Sequence, residues 1–395
     1  MSVERELNEI IRAFLASVRF TPPGTRWSFI AESKSNPYGG FCREFYIDTD
    51  RCRLACLRLL RSPLGKLLEG RVEQAKTLLQ EFLKVEVVQD GEFPFARLGT
   101  VLDYLTEETV LNLAQRFPGF LEEQSQECFY LLPMRRLVCP EEIDQPTCVW
   151  WPADRNLDAL ADRFGAFRNE LLPGQFPPIR DDPRMTPLSS QDSWLGCYAR
   201  QDLFGMASLR RIAGALLLGL DPDQSLFISG AEQPSGLFII RPGRFGFHSR
   251  PSPLPLHPQQ VEVDPSASTF VRTVTHAAVT DSRLAIALEC CGSSWRQSER
   301  DRFMQLSVAF DALFGVPGKV GKSIRAGIKT HAGEFEHAEE RARLLLNMRN
   351  DLLHGDAFAL TQCEDYLIYH ERYSVSPARD QLNLLRACVR SLSSP

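Results

Sequence analysis

The 395-residue sequence contains no Cys-x-x-Cys pair, although it has 11 cysteines. Disulfide frameworks and zinc sites both show tighter, repeated cysteine spacing, so we expect reduced and mostly buried thiols. The longest apolar run, Ile212 to Leu220, is about half as long as a membrane span. The charged N-terminus lacks the basic-then-apolar order of a secretory signal. These absences predict a cytoplasmic protein that has no membrane partner.

An excess of positive charge is also missing. Lys and Arg number 45 against 50 Asp and Glu, which gives a formal net charge of −5. A protein with this balance does not attract polyanions over its whole surface, so any nucleic-acid contact requires a local basic patch. No Asp/His cluster has the spacing of a two-metal nuclease site. We therefore expect neither a metal nor another cofactor.

Two proline-rich stretches divide the chain. Pro173 to Pro187 and Pro251 to Pro265 each contain five prolines. Proline at this density interrupts helices and central strands, so both stretches are predicted to be linkers or long loops. The fold class is predicted to be α+β and multi-domain, with an all-α C-terminal part. The predicted domains are 1–172, mixed α/β and of unknown role; 188–250, a small α/β module or an extension of the first domain; and 266–395, a helical bundle.

Apolar spacing predicts the elements of the first two domains. Leu54, Leu57 and Leu60 recur at helical intervals, and an apolar helix is predicted from Leu209 to Leu220. No catalytic pattern occurs in this part of the chain. The predicted strands are Val85 to Val88, Phe129 to Leu132, Ser225 to Ser229, and Gly236 to Phe247, the last broken by Pro242-Gly243.

The third domain has the pattern of five helices with short connections. A capping-box-like Ser298-Glu299-Arg300-Asp301 starts a helix that stops near Gly315. Ser376-Pro377 combines a cap with proline at the first helical position, which predicts the start of the last helix. The other three helices are predicted over about 281–291, through Val320, Ile324 and Ile328, and from Ala338 to a glycine stop at Gly355.

The helix that stops at Gly355 carries an arginine and a histidine near its end. It reads Met348-Arg349-Asn350-Asp351-Leu352-Leu353-His354-Gly355. Arginine stays protonated while histidine titrates near neutral pH, so the pair combines an anion contact with a proton-transfer group. This combination suits phosphodiester chemistry, which needs proton transfer at the reacting oxygens. The plainer interpretation is a surface arginine and a helix-capping histidine.

The context of this motif resembles that of the HEPN superfamily. A helical run precedes the arginine, Asn350 follows it directly, and Gly355 caps the helix after the histidine. The sequence Leu-Leu-Leu-Asn-Met-Arg-Asn-Asp-Leu-Leu-His-Gly is similar to the Arg-Asn-…-His-Gly motif of ApeA-like members linked to phage defence, and the resemblance covers about the last 130 residues. The bare Arg-x(4 to 6)-His spacing also occurs in a predicted strand, in a proline-rich loop and before an Ala-Gly pair, at Arg241 with His248, Arg250 with His257, and Arg325 with His331.

The resemblance implies a metal-independent endoribonuclease that acts as a homodimer. On an ideal helix Arg349 and His354 lie about 140° apart, so they converge only if the last turn loosens or if a second protomer completes the site. HEPN dimers are understood to place two such motifs face to face. By resemblance, His354 is the acid/base, Arg349 stabilises charge on the phosphorane, and Asn350 holds the phosphate or orients the histidine. The implied products carry 2′,3′-cyclic phosphate and 5′-hydroxyl ends, in abortive anti-phage defence or a toxin-like stress response.

A basic stripe on the preceding helix is the best candidate for contact with the RNA backbone. Ala312 to Gly333 contains no acidic residue. Lys319, Lys322, Arg325 and Lys329 fall within about a 120° arc of one predicted helix. A solvated face is the commoner explanation for such a stripe. In an acidic protein it also predicts where RNA phosphates bind.

Two further interpretations stay open. Several HEPN domains serve only for association, so the bundle is alternatively a non-catalytic dimerisation or scaffold module with a ligand- or partner-sensing N-terminal region. A bundle whose tyrosine is modified by a nucleotidyltransferase partner usually has Tyr two residues after the histidine, where this chain has Asp356. In the nuclease interpretation the substrate is RNA, with tRNA as one candidate, and the N-terminal two-thirds sense a trigger or restrain the nuclease.

Overall fold

The computed structural model divides into two compact units, unit 1 over Met1–Gln126 and unit 2 over Glu127–Pro395. Each unit combines helices with antiparallel strands, which confirms the α+β class. The residues described are 3–33, 36–68, 71–88, 98–165, 175–176, 178, 189–190, 192–200, 202–225, 236–249, 261, 263–295 and 298–394.

Unit 1 packs helices and a small sheet around one core. Its described strands are β1 (Val18–Arg19), β2 (Thr25–Ser33) and β3 (Asn36–Ile47), in the order β1-β3-β2. Its described α-helices are α1 (Val3–Leu15), α2 (Thr49–Arg61), α3 (Val72–Leu83) and α4 (Glu107–Gln124). The apolar faces of these helices meet in one cluster, because side chains at helical spacing point to the same side.

The predicted strand Val85 to Val88 is wrong. The chain continues from α3 into a π-helical turn, Lys84–Val88. Val87 and Val88 are 8% and 1% exposed in this turn. The turn therefore extends the buried side of α3, and burial in the helical core outweighs the strand preference of three valines.

Helix α2 buries a different face from the one marked by its leucines. Cys52, Ala55 and Cys56 are buried, whereas Leu54 and Leu57 are 49% and 36% exposed. The buried side chains are small, and α2 packs through this face against α1 and α3. The predicted helix is confirmed, and its core-facing side is shifted.

Unit 2 is built on a six-stranded antiparallel sheet. Its strands are β4 (Cys128–Met134), β5 (Ile143–Gln145), β6 (Cys148–Pro152), β9 (Ser193–Ala199), β10 (Gly236–Arg241) and β11 (Arg244–Ser249), and a separate pair consists of β7 (Gln175–Phe176) and β8 (Ser189–Ser190). The sheet order is β11-β10-β4-β9-β6-β5. The predicted strand Phe129 to Leu132 lies in β4, and Gly236 to Phe247 forms the β10–β11 hairpin. Of the predicted strand Ser225 to Ser229, residues 226–229 lie outside the described residues, and Ser225 is in a helical turn.

Side chains of this sheet alternate between two cores, because successive strand residues point to opposite faces. Phe129, Leu131 and Trp194 join a smaller cluster with helix α5 (Asp158–Phe164). Tyr130 and Trp150 join the larger cluster, which contains the helices of the rest of the unit. The sheet is therefore buried on both sides at its centre.

The described residues from 263 to 394 form seven α-helices, whereas five were predicted. Helix α7 (Pro265–Ala277) begins with the last proline of the predicted linker. Asp264 caps it, because its carboxylate accepts a hydrogen bond from the amide of Ser266 at 2.8 Å. Helix α12 (Glu364–Tyr373) was not predicted, since Tyr369 is its one buried residue and leaves no apolar stripe. The helices are α6 (Asp202–Gly219) after β9, then α7 (Pro265–Ala277), α8 (Ser282–Ser293), α9 (Glu299–Phe314), α10 (Val320–His331), α11 (Ala338–His354), α12 (Glu364–Tyr373) and α13 (Pro377–Ser393).

The C-terminal helices share one core with the sheet. The structure divides the chain after residue 126, whereas the proline-rich stretches predicted divisions near 172 and 250. Strand β4 precedes the first proline-rich stretch, whereas its partners β9 and β10 follow that stretch. Hydrogen bonds of one sheet therefore join the chain segments on both sides of the predicted linker. One cluster joins strand, α6 and α13 residues, among them Tyr130, Ile239, Leu216 and Leu385.

Helices α6 and α8 cross with their backbones in contact at two glycines. A Cβ at Gly214 would lie 2.0 Å from the carbonyl oxygen of Leu288. A Cβ at Gly292 would lie 1.9 Å from the carbonyl oxygen of Arg210. No side chain fits at either position unless the helices move apart, so this crossing requires glycine on both helices.

Gly214→Ala is expected to lower the free energy of unfolding of unit 2 by about 3 kcal/mol, because the added methyl overpacks the α6–α8 crossing. Tryptophan fluorescence during urea unfolding measures this, since four of the five tryptophans lie in unit 2. Gly321→Ala in α10 is the matched control, where a Cβ meets nothing within 4 Å. Its effect should stay within about 1 kcal/mol. Equal stability of Gly214→Ala and the parent would contradict the close crossing.

Candidate functional site at the C-terminus of helix α11

Helix α11 stays regular up to His354 and stops at Gly355. Gly355 has φ of 83°, in the left-handed region that glycine adopts without steric cost. The amide of Asp356 donates to the carbonyl of Asp351 at 2.9 Å, which is the bond of a Schellman stop. The predicted glycine stop is confirmed. The last turn of the helix is not loosened in a single chain.

The three predicted catalytic residues divide between two sides of α11, with Arg349 on one and Asn350 and His354 on the other. The Arg349 side chain is only 16% exposed and points towards α9, where it meets Asp311. Asn350 and His354 are exposed to solvent. Five residues of regular helix separate Arg349 and His354 by about 140°. One chain therefore directs the guanidinium and the imidazole to different sides.

Asp311 on α9 is a site residue that the sequence interpretation missed. Nη2 of Arg349 donates to its carboxylate, and the Asp311 side chain is 26% exposed. Burial raises the pKa of Asp311 above its usual value, and the charge of Arg349 opposes this rise. The sequence contained one indication of this contact. Asp311 lies beside Phe310 and Leu313, which are buried, and a carboxylate in that position needs a counter-charge.

Carboxylates crowd the end of α11. Burial raises the pKa of Asp351, and the nearby charges of Asp356, Asp365 and Glu364 raise it further. These four side chains belong to α11, to the segment after it and to the first turn of α12. An anion that binds close to Asp351 therefore meets a negative potential.

Three polar side chains, Arg341, Tyr369 and Asp380, anchor the N-terminal half of α11. Nη1 of Arg341 donates to the carboxylate of Asp380 on α13 at 2.5 Å, and the hydroxyl of Tyr369 on α12 donates to the same oxygen. Asp380 and Tyr369 are 2% and 0% exposed. Burial, and then the Asp380 charge, raises the pKa of Tyr369. One carboxylate thus ties three helices together and orients α11.

The basic stripe lies on the solvent side of α10. Lys319, Lys322 and Lys329 are exposed, and Arg325 is half-buried. Nζ of Lys329 pairs with Glu339 on α11 at 3.0 Å. The stripe is thus accessible to a partner, with one of its four charges engaged by a carboxylate.

Large apolar side chains are exposed on α11, on the segment after it and on α12. Leu353 is 55% exposed, and Phe358 is 77% exposed. On α12, Leu367 and Ile368 are 63% and 50% exposed. Isolated exposed apolar residues need no explanation, whereas a contiguous apolar patch would favour a surface that a partner covers.

No family model, curated protein or solved structure matches this chain. Within the part of the chain that the structure describes, no three His, Cys, Asp or Glu side chains are grouped to hold a metal ion. Across the same residues, none of the helices has both the length and the apolar character needed to cross a bilayer. Metal-independent chemistry stays a prediction.

Asp311→Ala is expected to destabilise unit 2 by about 2 kcal/mol, because it leaves the mostly buried guanidinium of Arg349 without a counter-charge. Arg349→Ala should then cost less in the Asp311→Ala background than in the parent. Urea unfolding of the parent, the two single variants and the double variant measures this coupling as a double-mutant cycle.

Glu339→Ala is the matched control, because it removes the exposed partner of Lys329, whose side chain is 68% exposed. Its effect should stay within about 1 kcal/mol, as for other solvent-exposed ion pairs. Strictly additive effects of Asp311→Ala and Arg349→Ala would contradict a direct contact between the two side chains.

Proposed function

We propose that this chain is a metal-independent endoribonuclease, whose active site forms where the ends of two α11 helices from two copies of the chain face each other. One observation carries the proposal. The sequence Arg349-Asn350-Asp351-Leu352-Leu353-His354 ends a regular helix with its asparagine and histidine exposed, directly before a glycine stop. The same residues carry the resemblance to HEPN ribonucleases, and α7 to α13 would be the HEPN-like bundle.

His354 is the proton-transfer group in this proposal. Cleavage of RNA needs one group to accept the 2′-hydroxyl proton and another to protonate the 5′-oxygen as it leaves. Each chain contributes one His354, so two copies supply both groups. The 2′-oxygen bonds to phosphorus as the bond from phosphorus to the 5′-oxygen breaks. The products carry a 2′,3′-cyclic phosphate and a 5′-hydroxyl.

Arg349 stabilises the negative charge of the phosphorane, and Asn350 holds the phosphate or orients His354. The ion pair with Asp311 uses part of the Arg349 guanidinium. A guanidinium has five N–H donors in a fixed fork, so a phosphate is able to share it with a carboxylate. Asp311 then positions Arg349 rather than removing it from the site.

The dimer is supported by the direction of the side chains and by the apolar surface. His354 and Leu353 point to solvent in one chain, and Phe358 is still more exposed. Two-fold symmetry places the same surface of both copies in contact, so these groups would meet their own counterparts. Burial of the apolar side chains favours that contact. The interface therefore brings two histidines to one phosphodiester.

The other parts of the chain take supporting roles in this proposal. The basic stripe of α10, with Lys319, Lys322, Arg325 and Lys329, contacts the RNA backbone. Unit 1 senses a trigger or restrains the nuclease. The setting is the cytoplasm, in abortive defence against phage or a toxin-like stress response.

A non-catalytic dimerisation module is the second candidate, and the charges around α11 favour it. Arg349 already has Asp311 as a counter-ion, so a structural role, in which this ion pair joins α11 to α9, is enough to explain the arginine. The helix end is also surrounded by carboxylates, which repel phosphate. These are Asp351, Asp356, Glu364 and Asp365.

Incubation of the purified chain with total tRNA and a single-stranded RNA in EDTA tests the nuclease. Cleavage to cyclic-phosphate ends is expected, and His354→Ala and Arg349→Ala should each reduce it by about 10²-fold or more, because each removes a group that acts in the transition state. His370→Ala is the matched control, since His370 is an exposed histidine on α12. It should cleave like the parent.

Parent-like cleavage by both His354→Ala and Arg349→Ala would contradict the proposed site. Dimers without any cleavage by the parent, on either RNA, would favour the dimerisation module. Circular dichroism and sedimentation of each variant separate loss of chemistry from loss of folding or assembly.

A further inference from the structure

Helix α2 of unit 1 turns a basic and apolar side to solvent. Its buried residues, which include Ala55 and Leu59, lie within about a 100° arc of the helix. The opposite side carries three arginines and two leucines within an arc of about 140°. These five residues are exposed, and we call them the arginine face: Arg53, Leu54, Leu57, Arg58 and Arg61. The core of unit 1 therefore does not account for the leucines of this face.

Carboxylates are missing from the arginine face beyond the first turn of α2. Asp50 lies in that turn, and residues 51–68 then contain five basic residues and no Asp or Glu. Arg51 pairs with Asp48 at 3.5 Å. The arginines of the face have no ion pair or side-chain hydrogen bond with any residue that the structure describes. The face therefore presents positive charge without a counter-charge, in a chain whose net charge is −5.

Arginines in this arrangement suit the phosphates of a polynucleotide. A guanidinium keeps its charge and binds a phosphate through two parallel N–H donors. From Arg53 to Arg61 the helix rises by about 12 Å. A polynucleotide repeats its negative charge over such a distance, so one strand is able to meet all three arginines. A free phosphate would engage one of them and leave the others without a partner.

The leucines favour a single strand over a duplex. A duplex stacks its bases inside, and the major groove of A-form RNA is too deep and narrow for side chains to read. A single strand exposes the faces of its bases as well as its phosphates. Leu54 and Leu57 lie between the arginines, where they would contact those faces. A lipid bilayer fits less well, because a helix that binds it buries a wide apolar side rather than two leucines.

We propose that the arginine face of α2 binds single-stranded nucleic acid. Its arginines contact the phosphates, and Leu54 and Leu57 pack against the bases. The face belongs to unit 1, so it is a polynucleotide contact additional to the basic stripe of α10 in unit 2. Binding at this face goes beyond the proposed function, because it needs neither His354 nor any cleavage at α11.

Fluorescence anisotropy of the full-length chain with labelled oligothymidylate tests this site. A probe of about 20 nucleotides is long enough to cover the face. DNA has no 2′-hydroxyl, so the probe stays intact even if the chain cleaves RNA. The double variant Arg58→Gln/Arg61→Gln should bind about tenfold more weakly or worse at about 0.1 M salt. The slope of log Kd against log salt should fall by about 1.4, since each phosphate contact of a single strand contributes about 0.7.

The double variant Arg5→Gln/Arg26→Gln is the matched control, because it also removes two positive charges from unit 1. Both arginines are exposed and already pair with carboxylates, those of Glu9 and Glu44. This variant should bind within about twofold of the parent, because charges beyond a Debye length from the strand are screened. A loss in the arginine face alone would separate a local contact from an effect of net charge.

The double variant Leu54→Ser/Leu57→Ser tests the contact with the bases. It should weaken binding about fivefold, because less apolar surface is buried in the complex. The salt slope should stay as in the parent, since no charge is lost. A DNA duplex of the same length should bind more weakly than the single strand, and the leucine change should not affect it.

Equal affinity of the parent and Arg58→Gln/Arg61→Gln for oligothymidylate would overturn the proposal. A duplex that binds as tightly as the single strand would also overturn it. So would binding to phosphatidylserine vesicles, lost in the arginine variant, without binding to oligothymidylate. Circular dichroism should be the same for all variants, because every changed side chain is exposed. None of these outcomes depends on RNA cleavage at α11.

Discussion

The regular geometry of α11 decides how the candidate site is built. The helix keeps its turns up to His354 and then ends in a Schellman stop, so Arg349 and His354 are directed to different sides. Arg349 turns inward to Asp311, and His354 faces solvent. A single chain therefore presents the two functional groups apart. The proposed chemistry depends on a second chain because of this angular separation.

Charge is the second constraint on this site. The chain has a net charge of −5, and carboxylates surround the end of α11. In the proposed site an RNA phosphate would share Arg349 with Asp311, and near His354 it would meet the negative potential around Asp351. The basic stripe of α10 would supply the attraction that α11 lacks. RNA binding by such a surface should weaken as salt increases, because each phosphate contact releases counterions; with only four basic side chains in the stripe, the slope should be modest.

Local signals in the sequence predicted helix ends, whereas pairings between distant residues were not legible in it. Ser298 and Gly355 act on amides within a few residues, so short patterns reveal them. The contact of Arg349 with Asp311 spans 38 residues, and no spacing rule connects such positions. Strands β4 and β9 lie on opposite sides of a proline-rich stretch, so nothing in the sequence indicated that they pair in one sheet. Helix α12 escaped prediction because a single buried side chain, Tyr369, makes no stripe.

The composite site is tested most directly by mixed dimers. The parent chain is co-produced with the His354→Ala chain at several ratios, the ratios are measured by mass spectrometry, and total RNA cleavage is recorded at a fixed total chain concentration. If each site needs His354 from both copies, total activity falls with the square of the parent fraction. A linear fall would show that each chain carries a complete site, and it would contradict the shared active site.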